Sequence, residues 1–292
     1  MLAESLFKTP EGAAQYLAAY NTTLALWPVP HEALDVKTSF GTTHINTAGS
    51  PELPPLILLH GFGVCSTQWY PNIEPLSRYF HVYALDVLSQ MGLSVATNRL
   101  KTRQDCAAWL TEVLDALHLD RVSIVGHSYG GWLSLNLALT APGRVGRMVL
   151  LSPAASFASI RLPFLLNFLS TVFIPTRSRI HGFMQSTTTM PLSNDHPTIE
   201  QLAMGIKHFN GKYIGAPVYK VFSDEELRQI NVPTLLLIGD RDTSCKPDLV
   251  LARARRLIPG IEAELVAGGG HLFPTDQADA TNTRMLEFLN NG

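Results

Sequence analysis

The chain is poor in several things, and each shortage excludes something. It has three cysteines in 292 residues: Cys65, Cys106 and Cys245, far apart, odd in number and without a C-x-x-C pair. That speaks against a disulfide framework or a thiolate metal site and suits a reducing compartment. Net charge is also scarce, because 22 Lys and Arg stand against 24 Asp and Glu. With no basic run, no electrostatic footprint for a nucleic acid or an acidic membrane is present. No apolar run reaches the ~20 residues of a spanning helix, so stable membrane insertion is not expected. The most apolar segment, residues 162–174, is broken by Asn167, Ser170 and Thr171 and reads as a buried or cleft-lining helix. Residues 1–10 carry Glu4 and Lys8 and lack the basic start and long apolar core of a signal peptide, so a cytoplasmic place is expected. Internal repeats and low-complexity linkers are missing too.

What the chain does have is a rhythm of short buried strands. A helix is expected over residues 9–26, with Pro10 at its first position and Pro28 and Pro30 beyond its end. Residues 34–40 and 42–47, separated by Gly41, read as a hairpin. From Leu56 on, residues 56–59, 82–85, 122–125, 148–151 and 234–238 form nearly continuous apolar runs, as expected of strands covered on both faces. Helical stretches lie between most of them. In residues 102–117, Ala107, Leu110, Val113, Leu114 and Leu117 recur at three and four. Further helices are expected after Gly130 and Pro247 and over residues 275–289. The alternation predicts an α/β fold, a doubly wound, mostly parallel sheet opened by an antiparallel hairpin.

The rhythm breaks over residues 154–222, where no short buried strand is legible. This stretch reads as a helical cap inserted between an N-terminal core part, residues 1–153, and a C-terminal core part, residues 223–292. Within it Arg161, Arg177, Arg179, Lys207, Lys212 and Lys220 face only Asp195 and Glu200. A solvated outer face is the simplest account of that surplus.

Chemistry enters at Gly126-His127-Ser128-Tyr129-Gly130, set between the apolar run 122–125 and an apolar stretch with helical spacing. The bare G-x-S-x-G pattern should occur by chance in about one chain of this length in ten. Its weight comes from the strand, turn and helix around it, the context in which such a serine is an exposed nucleophile. A serine hydroxyl needs a neutral imidazole to take its proton and a carboxylate behind that imidazole. On this kind of fold the chain order is serine, acid, histidine. His271, after Gly268-Gly269-Gly270 and beyond the last long apolar strand, is the expected base. Residues 234–238 run into Gly239-Asp240-Arg241-Asp242, and Asp242 is the expected acid, with Asp240 anchoring the turn or pairing with Arg241. Two backbone amides are expected to receive the oxyanion, each worth about 3 kcal/mol in a comparable hydrolase. They are those of Phe62, in His60-Gly61-Phe62-Gly63, and of Tyr129. His60 is expected to brace its loop, His127 to be a pocket or supporting residue, and Trp69 a pocket or core aromatic.

These motifs resemble the alpha/beta-hydrolase superfamily from Leu34 onward. More narrowly, Ser66-Thr67-Gln68-Trp69-Tyr70-Pro71-Asn72-Ile73, the segment from Tyr20-Asn21 to Leu26-Trp27-Pro28-Val29, and Phe222-Ser223-Asp224-Glu225-Glu226-Leu227-Arg228 resemble the bacterial carboxylesterase NP family. The resemblance implies hydrolysis of small carboxylic esters through an acyl-serine, with no metal or organic cofactor. It covers Ser128, Asp242, His271 and Phe62. One loop departs: many members of the fold carry D-x-x-G-x-G-x-S where Asp86 here leads into Val-Leu-Ser-Gln-Met-Gly-Leu-Ser, one residue longer and a glycine short. Carbon-carbon, lactone or thioester cleavage could run on the same three residues, and a weakly catalytic ligand receptor could keep the scaffold. Dehalogenase or epoxide hydrolase chemistry would want a carboxylate at position 128.

Overall fold

Successive side chains of a strand point to opposite faces, and the central strands put apolar groups on both. Ile57, Leu59, Ile124, Leu150 and Leu236 join one buried cluster, while Leu56, Leu58, Val125, Val149 and Leu235 join another. That double burial is why these runs read as continuous rather than alternating. In the computed structural model, which describes residues 6–211, 215 and 220–291, the strands form one nine-stranded sheet. Lys212 and residues 1–5 lie outside the described residues.

The strands are β1 (His31–Thr38), β2 (Gly41–Ala48), β3 (Pro55–Leu59), β4 (His81–Leu85), β5 (Val95–Ala96), β6 (Val122–His127), β7 (Val145–Leu151), β8 (Thr234–Gly239) and β9 (Glu262–Val266). Their order is β1-β2-β4-β3-β6-β7-β8-β9, with β5 on β2. The hairpin of β1 and β2 joins β4 antiparallel, and from β4 onward every pairing is parallel. The expected hairpin is present, but it turns at Ser39 and Phe40, ahead of the expected Gly41, which pairs with Thr38 as the first residue of β2 with φ 137°. Two strands were not legible: β5 has only two residues, and β9 is an edge strand that alternates exposed Glu262 with buried Ala263.

Helices cover both faces. The first, α1 (Pro10–Leu24), is capped by the Thr9 side chain, which accepts from the Gly12 amide. Short α2 (Ile73–Ser77) precedes α3 (Arg103–Ala116), opened by a capping box of Thr102 and Asp105. Next comes α4 (Tyr129–Thr140), which leaves the serine turn and is buried almost throughout. Between β7 and β8, the described residues hold α5 (Leu162–Phe173), α6 (Arg177–Thr187), α7 (Pro197–His208) and α8 (Asp224–Arg228), and no strand of the sheet. The chain ends with α9 (Pro247–Leu257), α10 (Phe273–Asp276) and α11 (Ala278–Asn290). The expected last helix is divided at Gln277, whose φ of −123° and ψ of 46° leave the helical region.

The loop that departs from the common pattern is closed by a buried carboxylate. Asp86 accepts from the Ser66 amide at 2.8 Å and the Leu93 amide at 2.7 Å. A Cβ on Gly92 would sit 2.6 Å from the Asp86 carboxyl carbon, so glycine is required there. α5 takes the second of its two expected places: it lines a cleft, and Thr171 alone of its residues is buried.

Candidate active site

Ser128 sits at the end of β6 with φ 52° and ψ −112°, a conformation that side-chain-bearing residues seldom adopt. Its neighbours allow it. A Cβ on Gly126 would fall 2.4 Å from the Gly130 carbonyl oxygen, and one on Gly130 would fall 2.0 Å from that of Leu59. The turn is then locked from both sides, since the Ser128 amide donates to Leu151 at 2.9 Å and its carbonyl accepts from Ala154 at 3.1 Å.

His271 Nε2 lies 3.0 Å from Ser128 Oγ, and its Nδ1 lies 2.9 Å from Asp242 Oδ2. The carboxylate can only accept, so Nδ1 carries the proton and Nε2 presents its lone pair to the serine hydroxyl. Residue exposures of 8% for Ser128, 6% for His271 and 3% for Asp242 keep bulk water from competing for these bonds. Burial alone would raise the Asp242 carboxyl, but the facing His271 and the bonds from His271 and Ser244 outweigh it and hold it well below the usual carboxylate range. The Ser244 amide donates to Asp242 Oδ1 at 2.7 Å, and the Ser244 hydroxyl oxygen stands 3.2 Å from His271 Nδ1.

The structure does not bring Asp240 into this chain. It lies exposed at the strand end, and the turn is anchored by backbone bonds, Asp240 N–H to Val266 and Arg241 N–H to Gly269. No ion pair joins Asp240 to Arg241 among the described residues.

The loop after β3 has its amides sorted. Gly61 N–H donates to Gln68 Oε1 at 3.2 Å and Gly63 N–H to Gln90 Oε1 at 2.9 Å. Phe62, between them, lines the cavity above Ser128. Tyr129 opens α4, at the positive end of the helix dipole. His60 accepts from the Val87 amide through Nε2 at 2.8 Å, so its Nδ1–H donates to the Gly61 carbonyl at 2.7 Å. It ties the loop to the end of β4. His127 Nε2–H donates to the His271 carbonyl at 3.0 Å. Burial, and then the neighbouring His271, push its imidazole down to about 3, so it stays neutral at working pH.

The cavity holds about 610 Å³. Its walls are largely apolar: Phe62 and Trp69 from the core, Phe164 and Phe168 from α5, Phe183 and Met184 from α6. Trp69 is at once cavity wall and a fully buried part of the core cluster against Ile73 and Leu76. The Phe164 ring meets the His271 ring edge-on, with centroids 5.7 Å apart. No group of three or more metal-ligating side chains occurs among the described residues.

The end of α6 and the segment after it are stitched to the loops that carry His271 and Asp242. Leu272 N–H donates to the Thr187 carbonyl at 2.9 Å, and Thr189 Oγ1–H to the Gly268 carbonyl at 2.8 Å. Thr188 Oγ1–H donates to Asp276 at 2.5 Å, and Thr243 Oγ1–H, beside the acid, to the Ser186 carbonyl at 3.1 Å. Sequence reasoning missed Gln68, Gln90, Ser244 and these threonines. Only Gln68 had a signal, its place in the segment that carried the family resemblance.

Residues 54–277 match the alpha/beta hydrolase fold family. The chain belongs to that family. Within it, the chain is 35% identical over 100% of its length, and 99% of the relative's, to carboxylesterase YbfK of Bacillus subtilis (strain 168). The crystal structure of that protein, also named CesB, aligns at 33% identity with a TM-score of 0.91, covering 97% of this chain and 99% of that one. The crystal structure of naproxen esterase, carboxylesterase NP, from Bacillus subtilis aligns at 32% identity with a TM-score of 0.89 over the same shares. The resemblance drawn from residues 20–29, 66–73 and 222–228 therefore holds across the whole chain.

Proposed function

We propose that this chain is a serine carboxylesterase acting on small to medium carboxylic esters, with Ser128 as nucleophile, His271 as general base and acid, and Asp242 as the orienting carboxylate. The reading is carried by one observation, the continuous buried bond chain from Ser128 Oγ through His271 to Asp242. Two further observations support it. Full-length relatives are carboxylesterases, and the cavity above Ser128 offers apolar wall to an acyl or alcohol group.

In acylation, Ser128 Oγ attacks the ester carbonyl carbon while its proton passes to His271 Nε2. Asp242 stabilises the imidazolium and holds its orientation without taking the proton. Negative charge gathers on the former carbonyl oxygen, received by the Phe62 and Tyr129 amides. As the carbon–oxygen bond to the alcohol breaks, His271 gives its proton to the departing oxygen. Water then attacks the acyl-serine by the same route, His271 taking its proton and returning one to Ser128. We further propose residues 154–222 as a cap that sets which esters enter, over a core formed by residues 1–153 and 223–292.

Steady-state hydrolysis of short, medium and long p-nitrophenyl esters by purified protein tests this. Ser128→Ala is expected to lower kcat by on the order of 10⁵-fold or more with circular dichroism and Tm preserved. A folded Ser128→Ala protein with near-normal turnover would remove the assignment. A folded wild type idle on every ester would move the reading to carbon-carbon, lactone or thioester cleavage.

A further inference from the structure

α5 is apolar on two sides. Phe164, Leu165, Phe168 and Leu169 line the cavity, yet Leu162 is 63% exposed, Leu166 56%, Phe173 78% and the following Ile174 53%. At 3.6 residues per turn, Leu162, Leu166 and Phe173 fall within about 40° of one another, and Leu169 of the cavity wall lies beside them, so they form one exposed stripe that runs into the cavity lining. An exposed contiguous apolar patch on an otherwise well-buried molecule marks a surface that something covers.

We propose that this stripe docks α5 onto an anionic lipid surface, so that esters held in that surface reach Ser128 through the cavity beneath the same helix. It builds on the esterase reading above only for what happens after docking.

The choice of occupant follows from chemistry at the two ends and along the middle. Arg161 precedes the helix and Arg179 lies in α6 just beyond it, both exposed. Arg177 between them is paired with Asp195 and Glu200, whereas neither Arg161 nor Arg179 forms an ion pair among the described residues. The helix N-terminus adds its partial positive charge beside Arg161. Apolar side chains flanked by basic residues suit a helix lying flat in a headgroup layer. Along the middle, the polar groups of α5 are already used. Asn167 Nδ2–H donates to Ser186 Oγ at 3.1 Å, and the Ser170 and Thr171 hydroxyls donate to the Asn167 carbonyl at 2.8 and 2.9 Å. The stripe itself offers no hydrogen-bonding side chain, whereas specific protein interfaces carry about one hydrogen bond per 100–200 Å². A face without hydrogen-bonding side chains, with one exposed arginine before the helix and another in α6, fits a lipid layer better than a protein partner. No helix among the described residues is long and apolar enough to cross a membrane, so this is adsorption and not insertion. The basic surplus legible in residues 154–222 includes both arginines.

The test is co-sedimentation of the full chain with vesicles of phosphatidylcholine and phosphatidylglycerol in equal parts, and with phosphatidylcholine alone, at low and high salt. The same samples are assayed on a soluble short-chain ester. Binding to the anionic vesicles is expected, weakened on the order of tenfold without phosphatidylglycerol or in high salt. The double variant Leu166→Ser, Phe173→Ser is expected to lose binding by at least about tenfold with soluble-ester turnover unchanged, since neither residue lines the cavity. Arg161→Gln with Arg179→Gln is expected to abolish the preference for anionic vesicles. Absence of binding, equal binding to both vesicles, or concentration-dependent self-association that buries the stripe would each overturn the inference. Turnover of the soluble ester in the same tubes would leave the esterase reading standing.

Discussion

Ser128, His271 and Asp242, at the cleft floor, are bonded to one another and all less than a tenth exposed, whereas α5 in the roof buries Thr171 alone. Ser128 and Asp242 follow the ends of β6 and β8, strands covered on both faces, and His271 lies in the loop after the edge strand β9, held to Asp242 and Ser128 by its ring nitrogens. The roof rests on the floor through a few seams and presents interchangeable apolar side chains to the cavity. Changes at the floor should therefore alter kcat by orders of magnitude, and changes at the roof should alter which ester is preferred and by modest factors.

The largest expected effect breaks the floor without breaking the fold. Asp242→Asn keeps the size of the side chain but allows the other His271 tautomer, so kcat should fall about 10⁴-fold, as in a comparable triad, with KM nearly unchanged. Stability should shift with pH in a stated direction. The Asp242 carboxyl is held below its ordinary value in the folded protein, so its contribution is fully present above about pH 4, the unfolded value. It is lost as pH falls through the folded value. The Asn variant should lack that part of the acid-side loss, visible as a flatter Tm profile toward low pH. A variant retaining full kcat, or one with an unaltered profile, would contradict the role drawn for Asp242.

A middle-sized effect sharpens the comparison within the floor. Gln68 and Gln90 hold the Gly61 and Gly63 amides, which leaves the Phe62 amide placed by its neighbours. Gln90→Met should loosen that placement and lower kcat about tenfold, well short of the roughly 10²–10³ lost when an oxyanion donor is removed outright. KM should change less than kcat, because the amide is needed for the developing charge and not for the resting ester. A rise in KM with kcat unchanged would assign Gln90 to substrate binding instead.

How much could be read beforehand divides along the same line. Most strands of the sheet were legible because burial on both faces leaves continuous apolar runs, and Ser128, Asp242 and His271 could be singled out because this fold sets a chain order for such residues. Gln68, Gln90 and Ser244 were not, since each is a lone polar residue whose partner is a backbone amide or ring nitrogen delivered by folding. At α5 the sequence left two readings open, buried or cleft-lining, because apolar composition alone does not distinguish a buried helix from one that faces both a cavity and solvent. The structure shows the second. The family segments prove to be joints of the scaffold. Tyr20 OH lies 3.2 Å from Ser66 Oγ beside Asp86, and Arg103 bonds Glu226 at 2.6 Å while lying over the Phe222 ring. Residues at such joints identify relatives more narrowly than Ser128, Asp242 and His271 do, and say less about substrate.

The smallest expected effect lies on the seam between roof and floor, at Asp276. Its Oδ2 accepts from the Thr188 hydroxyl at 2.5 Å and the Thr189 amide at 3.2 Å, and it lines the cavity, whose walls include no Lys or Arg. Half-burial raises its carboxyl above the ordinary value more than those two bonds lower it. The folded protein therefore binds this proton more tightly than the unfolded chain, so stability falls as pH rises through the interval between the unfolded and folded values. Asp276→Asn can accept both bonds without charge, and should be slightly more stable than wild type at pH 7, with the difference closing below about pH 4. The same substitution should ease entry of esters with an anionic acyl end. A unit charge at 4 Å is worth about 1 kcal/mol in bulk water, so kcat/KM for a monoester of a dicarboxylic acid should gain about fivefold relative to its neutral counterpart. The neutral ester itself should be hydrolysed as before. An unchanged ratio would show that Asp276 only fastens Thr188 and Thr189 to the histidine loop, and a fall in Tm at pH 7 would show that its charge is needed to do so.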